Sequence, residues 1–185
     1  MVYPTETLYG LGALATHAGA VERLALAKGR PDGKAMPLLG ADLAQVEAVA
    51  VLGPLARRLA AAFWPGPLTL VVEAAPGLPG PILGGGRTVG VRVTSSPVAA
   101  ALCRAAGGAL VATSANLAGQ PAVASAGELD AALRARVDAV LDAGPTPGGP
   151  PSTVLVVAGE RLRLLRAGAV TVAAIEAAAG PGVEP

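Results

Sequence analysis

Glycine and proline divide this chain into short pieces, and this punctuation limits its possible folds more than any other feature. The 185 residues include 25 Gly and 17 Pro, and 52% of them are hydrophobic while 15% are charged. This composition is typical of a globular chain with one sizeable core. The uninterrupted apolar runs are well under the roughly 18 residues that a membrane span needs. We therefore expect one domain made of short helices and strands.

Helix-like and strand-like patterns alternate irregularly, without an internal repeat or a long linker. The patterns predict helices at residues 19–28, 43–50, 54–63, 97–106, 125–136 and 171–179. They predict strands at residues 37–39, 68–72, 89–93, 109–113, 137–141, 154–157 and 162–165. Residues 4–12 are predicted to be rich in turns, 76–86 to form a loop and 180–185 to form a loose tail. This order favours the α/β class: a single domain, residues 1–185, with a twisted mixed sheet and flanking helices.

Several classes of chemistry are excluded by residue counts. Cys103 is the single cysteine and His17 the single histidine. An internal disulfide, a cysteine-rich zinc site and most nucleophile–histidine dyads are therefore excluded. The net charge of +1 gives no overall field toward nucleic acid or an anionic membrane. Because Tyr3, Pro4 and Glu6 interrupt any apolar run at the start, no signal peptide is expected and we predict a cytoplasmic protein without a membrane partner.

The best candidate for a phosphate site is a cluster of cations near residue 30. Lys28 and Arg30 flank Gly29 at the predicted end of a helix, and Lys34 follows four residues later. A planar guanidinium and a compact ammonium together suit a polyphosphate. Lys and Arg are also ordinary at helix C-termini, where the helix dipole favours them. On spacing alone, this structural interpretation is the stronger one.

Short polar segments at strand ends are candidate substrate contacts. Residues 113–116 (TSAN) follow a predicted buried strand, and Ser152 stands just before another. Ligands bind at such positions in α/β sheets, although turns use the same residue types. Arg92 and Arg166 lie on or just after apolar strands, where a guanidinium needs an anionic partner or a route to solvent.

The aromatic residues all border Pro/Gly motifs. Phe63 and Trp64 precede Pro65 and are predicted to fill the core. Tyr3 and Tyr9 flank the PTET segment at residues 4–7 and are candidates to wall a pocket. For Tyr9 the pocket and core interpretations both stay open.

Seven blocks, in a fixed order from residue 2 to about residue 170, resemble the YrdC/TsaC family. They lie at residues 4–12 (PTETLYGLG), 28–31 (KGRP), 64–69 (WPGPLT), 89–93 (VGVRV), 114–119 (SANLAG), 151–154 (PSTV) and 165–169 (LRAGA). The chain departs from the family pattern in a shorter N-terminal segment, and in Ala35 and Thr94 where the family often has proline. It resembles the short, single-domain form of the family.

This resemblance implies a nucleotidyltransferase with a concave, positively charged face. Such an enzyme condenses L-threonine, bicarbonate and ATP, with Mg²⁺ on the ATP and no metal held by the protein, into threonylcarbamoyl-AMP and diphosphate. A separate threonylcarbamoyl-transfer machinery then modifies tRNA to threonylcarbamoyladenosine. By carry-over, the ATP contacts are Lys28, Arg30, Thr88, Asn116 and Arg166, with Lys28 and Arg30 as catalytic residues, and the threonine contacts are Thr5, Arg92, Ser114 and Ser152.

Other functions remain open at this point. One alternative is a module that binds double-stranded RNA or tRNA without catalysis, and its affinity would fall steeply with salt. Another is a nucleotide-binding paralogue with weak activity. A third is a carbamoyl adenylate-forming domain, but such domains usually belong to longer chains with zinc-binding cysteines.

Overall fold

Short helices and strands alternate along the chain, as the spacing of glycine and proline predicts. The computed structural model describes residues 1–29 and 33–184. Within these residues the helices are α1 (Ala18–Lys28), α2 (Leu43–Glu47), α3 (Pro54–Phe63), α4 (Gly80–Leu83), α5 (Pro97–Ala106), α6 (Ala131–Arg134) and α7 (Val172–Ala179). The strands are β1 (Val2–Pro4), β2 (Tyr9–Leu11), β3 (Leu38–Gly40), β4 (Ala50–Val51), β5 (Leu68–Ala74), β6 (Thr88–Val93), β7 (Leu110–Val111), β8 (Thr113–Ser114), β9 (Thr153–Ala158), β10 (Arg161–Arg166) and β11 (Val183–Glu184). No helix in this part of the chain has the length and apolarity that crossing a membrane requires.

The described strands form two sheets that meet at one stretch of chain. The larger sheet has the order β11-β10-β9-β5-β6-β3-β7, with β4 beside β5, and the smaller has the order β1-β2-β8. The pairs β5/β9, β3/β6 and β10/β11 are parallel, and the other pairs are antiparallel. Only Ala112 separates β7 from β8, so the chain passes from the larger sheet to the smaller one there. The expected α/β fold with a mixed sheet and flanking helices is confirmed.

Alternate residues on the central strands divide the sheet into a core face and an open face. On β6, Val89 and Val91 are fully buried in the hydrophobic core. Between and beside them, Thr88, Gly90 and Arg92 lie on the opposite face. The same alternation on β5 and β9 places Thr69, Val71 and Val154 on the open face.

Helix ends follow local sequence signals. His17 caps α1 by accepting a hydrogen bond from the amide of Ala20, and the helix ends at Gly29 in the left-handed conformation (φ 60°). Pro54 and Pro97 occupy the first turns of α3 and α5. Because these signals are local, the predicted bounds of these helices agree closely with the structure.

The prediction of one helix over residues 125–136 is wrong. A 3₁₀ turn spans Ala126–Glu128, and α6 starts separately after Asp130. The Asp130 carboxylate accepts hydrogen bonds from two amides of α6 and so begins a new helix. The Glu128 carboxylate accepts from the amide of Ala124, so the capping-box spacing produces only a turn.

The predicted strand at residues 137–141 is also wrong, because its neighbour β1 offers one pairing position. Val2 exchanges backbone hydrogen bonds with Ala139 and Leu141, which makes an isolated bridge at Val140. All three residues of β1 pair with β2 along the other edge of β1, whereas in the described part of the chain Val2 alone makes the bonds to residues 139 and 141. A strand needs a partner of matching length, and the sequence pattern does not report partners.

Other boundaries change where tertiary contacts override local pattern. The α2 helix ends at Glu47, and Ala50–Val51 pair with β5 instead of extending the helix. The 76–86 loop contains α4, which buries Ile82, and the 4–12 segment, predicted to be rich in turns, contains all of β2 and the last residue of β1. The predicted loose tail is wrong for β11, which pairs with β10 while the Glu176 carboxylate accepts hydrogen bonds from the amides of residues 182 and 183.

Candidate functional site

A cavity of about 670 Å³ lies on the open face of the larger sheet, where the smaller sheet meets it. It brings together eight of the nine predicted site residues from segments far apart in sequence. Those lining it are Thr5, Lys28, Thr88, Arg92, Ser114, Asn116, Ser152 and Arg166. The ninth, Arg30, lies outside the described residues. This convergence makes the cavity the candidate site, because a large concavity with convergent polar groups is the usual form of a ligand site.

Lys28 reaches the cavity from the last turn of α1 and is only 6% exposed. Its Nζ donates to the backbone oxygen of Ser114 at 2.5 Å, to Oδ1 of Asn116 at 3.0 Å and to the backbone oxygen of Asn116 at 3.1 Å. These bonds join the end of α1 to the end of β8. A buried ammonium is therefore held in a defined position at the cavity wall by neutral oxygens.

The SAN segment after β8 is a small network of its own. The Ser114 hydroxyl is hydrogen-bonded to Oδ1 of Asn116. The Asn116 amide donates to the backbone oxygens of Leu117 at 3.0 Å and Gln120 at 2.5 Å. These bonds fix the orientation of both side chains before any ligand binds, which is a property of preorganised binding sites.

Ser152 and Arg166 meet on the other side of the cavity. The Arg166 guanidinium donates to the backbone oxygen of Ser152 at 2.8 Å and to its hydroxyl at 3.1 Å. The Ser152 hydroxyl also bonds the hydroxyl of Thr69 at 2.9 Å. Thr69 is a buried cavity residue that the sequence analysis missed, because a threonine inside an apolar strand gives no distinct signal.

The chain near Ser152 depends on a close backbone approach at Gly168. A Cβ at this position would overlap the backbone oxygen of Pro151 and lie 2.6 Å from the amide nitrogen of Thr153. The amide of Ala169 donates to the same Pro151 oxygen at 3.0 Å. Only glycine lets the segment after β10 lie this close to the segment that carries Ser152.

Arg92 is paired with a carboxylate that the sequence analysis did not select. Its Nε donates to Oε1 of Glu6 at 2.9 Å, and both side chains are less than a tenth exposed. The Thr94 hydroxyl donates to Oε2 of Glu6 at 2.6 Å. The sequence analysis noted that Arg92 needs an anionic partner or a route to solvent. Glu6, an acidic residue between β1 and β2, is that partner.

The turn that carries Thr5 is closed by the Thr5 hydroxyl itself. The hydroxyl donates to the backbone oxygen of Leu8 at 2.7 Å and accepts from the amide of Thr7 at 3.3 Å. Tyr9, just after this turn, has a nearly fully buried ring, and its hydroxyl donates to the backbone oxygen of Gly144 at 2.6 Å. Tyr9 therefore both lines the cavity and packs in the core, where it anchors the segment leading to Ser152.

Trp64 and Phe63 pack against the hydrophobic core, as predicted. The Trp64 ring nitrogen donates to the backbone oxygen of Leu68 at 2.7 Å. His17 caps α1, and Cys103 is buried on α5.

The described cavity lining is rich in cations although the chain is almost neutral. This described lining includes the cations Lys28, Lys34, Arg92 and Arg166 and no carboxylate. Burial, with a further contribution from the positive charge of Arg92, lowers the pKa of the Arg166 guanidinium. A bound anion would relieve this repulsion, so the site is suited to phosphate or carboxylate groups.

Comparison with known proteins gives a consistent set of relatives. The Sua5/YciO/YrdC family, described as "Telomere recombination", matches residues 1–168. A threonylcarbamoyl-AMP synthase of Bacillus subtilis (strain 168) is 40% identical over 183 residues, covering 98% of this chain and 53% of the relative. One of Alkalilimnicola ehrlichii is 43% identical over 147 residues, covering 80% of this chain and 77% of the relative.

The fold matches a solved structure as well. The crystal structure of P. abyssi Sua5 complexed with L-threonine superposes with a TM-score of 0.91 at 36% identity, over 100% of this chain and 54% of that one. The chain thus spans about half the length of the B. subtilis and P. abyssi relatives and about three quarters of the A. ehrlichii one.

Proposed function

The chain belongs to the Sua5/YciO/YrdC family, and from this premise we propose that it condenses L-threonine, bicarbonate and ATP into threonylcarbamoyl-AMP and diphosphate. The reaction is a nucleotidyl transfer, because the adenylyl group of ATP moves to a carbamate oxygen. The product would serve tRNA threonylcarbamoyladenosine modification, through a separate machinery that transfers the threonylcarbamoyl group.

One observation carries this proposal: a single cationic cavity gathers hydroxyl, amide, ammonium and guanidinium groups from all seven of the family-like sequence blocks. The reaction needs two substrates held in line and phosphate charge stabilised, and it needs no protein nucleophile. A chain with one buried cysteine and one capping histidine is consistent with such chemistry. The relatives named as threonylcarbamoyl-AMP synthases support the same assignment.

We assign the phosphates and nucleotide of ATP to the part of the cavity near Lys28. Its ammonium would contact the phosphate chain together with Arg30, which lies outside the described residues. Asn116, Thr88 and Arg166 would hold the remainder of the nucleotide. A charge-assisted bond from Lys28 would be strong because its side chain is almost fully removed from water.

The threonine subsite is assigned to Thr5, Arg92, Ser114 and Ser152, all of which line the cavity. Arg92 would bind the threonine carboxylate, since a guanidinium and a carboxylate make a paired, directional contact. The hydroxyls would recognise the threonine side chain. P. abyssi Sua5, which is 36% identical, has been crystallised with L-threonine, and this supports a threonine site in the same fold.

The proposed reaction has two steps. The amine of threonine and bicarbonate form a carbamate with loss of water. A carbamate oxygen then attacks the α-phosphorus of ATP, the bond from that phosphorus to the bridging oxygen breaks, and diphosphate leaves with the electron pair. Lys28 and Arg30 would stabilise the charge that develops on the phosphates.

Mg²⁺ would reach the site on ATP. Among the described residues, no three His, Cys, Asp or Glu side chains are grouped to hold a metal ion, and the cavity lining offers hydroxyl, amide and backbone oxygens. The ion's ligands would therefore be phosphate oxygens and water, where it neutralises phosphate charge.

Diphosphate release tests the proposal. The purified chain is incubated with ATP, Mg²⁺ and bicarbonate, with and without L-threonine. We expect release that depends on both threonine and bicarbonate. No release, with salt-sensitive affinity for tRNA or double-stranded RNA, would favour the binding module instead. No release with ATP still bound would favour the weakly active paralogue.

A further inference from the structure

We propose that Glu6 is a positioning residue for Arg92, holding the guanidinium so that its two terminal nitrogens face the cavity. The identity of the ligand carboxylate rests on the proposed function, and the placement of Arg92 does not. The Arg92 guanidinium, which is assigned to a substrate carboxylate, is already paired with a buried carboxylate of the protein, and these two roles must be reconciled.

The atoms used by Arg92 reconcile these two roles. Its bond to Glu6 is made through Nε, at 2.9 Å. Within the described part of the chain, Nη1 and Nη2 make no hydrogen bond, and neither is a buried atom lacking a partner. Since Arg92 lines the cavity, these nitrogens are open to it. A carboxylate ligand can therefore take the end-on pair of donors without displacing Glu6.

Glu6 itself is held from behind. The Thr94 hydroxyl donates to Oε2 at 2.6 Å, and that hydroxyl accepts from the amide of Ser96 at 3.1 Å. Glu6 does not belong to the described cavity lining, although its neighbours Thr5 and Thr7 do. The hydrogen bonds thus run in the order Ser96, Thr94, Glu6 and Arg92, and of these four residues Arg92 alone belongs to the described cavity lining. Glu6 therefore supports the guanidinium from outside that lining.

Because the ion pair is buried, Glu6 restrains the Arg92 side chain more strongly than it would at the surface. The Arg92 and Glu6 side chains are 8% and 9% exposed, so a long flexible side chain is confined by a charged partner in a medium that screens poorly. Arg166 adds a second positive charge nearby, which would push an unpaired Arg92 away. Without Glu6, Arg92 would be free to turn toward solvent and lose its aim at the cavity.

The test compares Glu6→Gln, Glu6→Ala and Thr94→Val in the full chain, with Glu160→Gln, an exposed carboxylate in the turn after β9, as the matched control. The first readout is the Nε–H signal of Arg92 in ¹H–¹⁵N NMR spectra, assigned from its absence in Arg92→Lys. We expect a signal protected from water exchange in the wild type, retained in Glu6→Gln and lost in Glu6→Ala. An unchanged signal in Glu6→Ala would overturn the proposal.

The second readout separates positioning from general damage. In diphosphate release, the KM for threonine should rise about tenfold or more in Glu6→Ala, as expected when a charge-assisted bond that orders the site is lost. The KM for ATP should change little, and Glu6→Gln should restore most of the threonine affinity. Equal rises in both KM values would refute a positioning role.

Two further outcomes are decisive. Where Glu6→Ala does not fold, Thr94→Val keeps the ion pair and removes its anchor, and it should weaken both the Arg92 signal and threonine affinity; no effect on either would count against the proposal. A wild type with a protected, Glu6-dependent Arg92 signal but no threonine-dependent turnover would refute the proposed function while supporting the positioning role.

Discussion

Lys28 is a buried cation at the cavity wall, and its replacement should strongly reduce catalysis. Replacing it with alanine removes a buried ammonium that also ties the end of α1 to residues 114 and 116. We expect kcat/KM to fall by a factor of about 10²–10³, the usual loss when a donor that stabilises developing charge is removed. Steady-state diphosphate release measures this loss.

Arg104→Ala is the matched control for Lys28→Ala. Arg104 is also a cation in the last turn of a helix, α5, but it does not line the cavity. Its replacement should leave turnover near the wild-type value. Near-normal turnover in Lys28→Ala would contradict the assignment of Lys28 to the phosphates.

The hydroxyls of the threonine subsite predict selectivity against valine. Valine matches threonine in shape but would leave a buried hydroxyl partner unpaired, so we expect discrimination of about a hundredfold or more in kcat/KM. Ser152→Ala should reduce this ratio, because the Ser152 hydroxyl lies between Thr69 and Arg166. Equal use of both amino acids by the wild type would refute the assignment of the hydroxyls.

Among the elements, the junction after β10 has no room for a side chain at Gly168. Gly168→Ala would force its Cβ against the backbone at residues 151–153. We expect a loss of about 1–3 kcal/mol in the free energy of unfolding, as for overpacking elsewhere, and weaker threonine binding through displacement of Ser152. Thermal denaturation and calorimetry measure the two effects.

Gly53→Ala provides the comparison for this junction. Gly53 precedes α3, and a Cβ there meets nothing within 4 Å. Its substitution should cost about 0.5 kcal/mol, because Gly53 is the N-cap of α3 and glycine is preferred to alanine there. If Gly168→Ala were as mild as Gly53→Ala, the close approach would not be a constraint on the site.

The α5 helix buries a thiol that should be unreactive in the folded state. Burial is the main cause that raises the pKa of Cys103 to about 11, and its Sγ lies 3.6 Å from the backbone oxygen of Leu39. At pH 8 the group is therefore a protonated thiol, which is a poor nucleophile. A disulfide reagent should label it only after denaturation, and rapid labelling of the folded protein would contradict this placement.

Elements with local signals were predictable from sequence, and elements that depend on partners were not. Pro54 and Pro97 start helices and Gly29 ends one, so α1, α3 and α5 agree closely with their predicted bounds. The predicted strand at residues 137–141 is absent because only an isolated bridge at Val140 pairs with β1. The predicted loose tail instead forms β11 because it pairs with β10. The apolar run at residues 109–113, which was predicted as one strand, is divided into β7 and β8. The reason is that β7 pairs with β3 in the larger sheet and β8 pairs with β2 in the smaller one.

For the whole molecule, residue patterns and the family resemblance contributed different parts of the predicted site. The residues alone suggested cations and hydroxyls at element ends, and for Lys28 and Arg30 the structural interpretation was the stronger one. The family blocks indicated which of them belong together, and the structure places eight of those residues around one cavity. Glu6 and Thr69 escaped both approaches, because neither type of residue is unusual until its partner, Arg92 or Ser152, is known in space.

The most direct test of the central claim follows the carbon of bicarbonate. The chain is incubated with ¹³C-bicarbonate, L-threonine, ATP and Mg²⁺. The nucleotide products are then separated, and their masses are measured by mass spectrometry. We predict an adenylate that contains threonine and one ¹³C carbon, formed together with diphosphate. A threonine adenylate without the label, or ATP hydrolysed with no threonine in the product, would contradict the claim that this cavity makes threonylcarbamoyl-AMP.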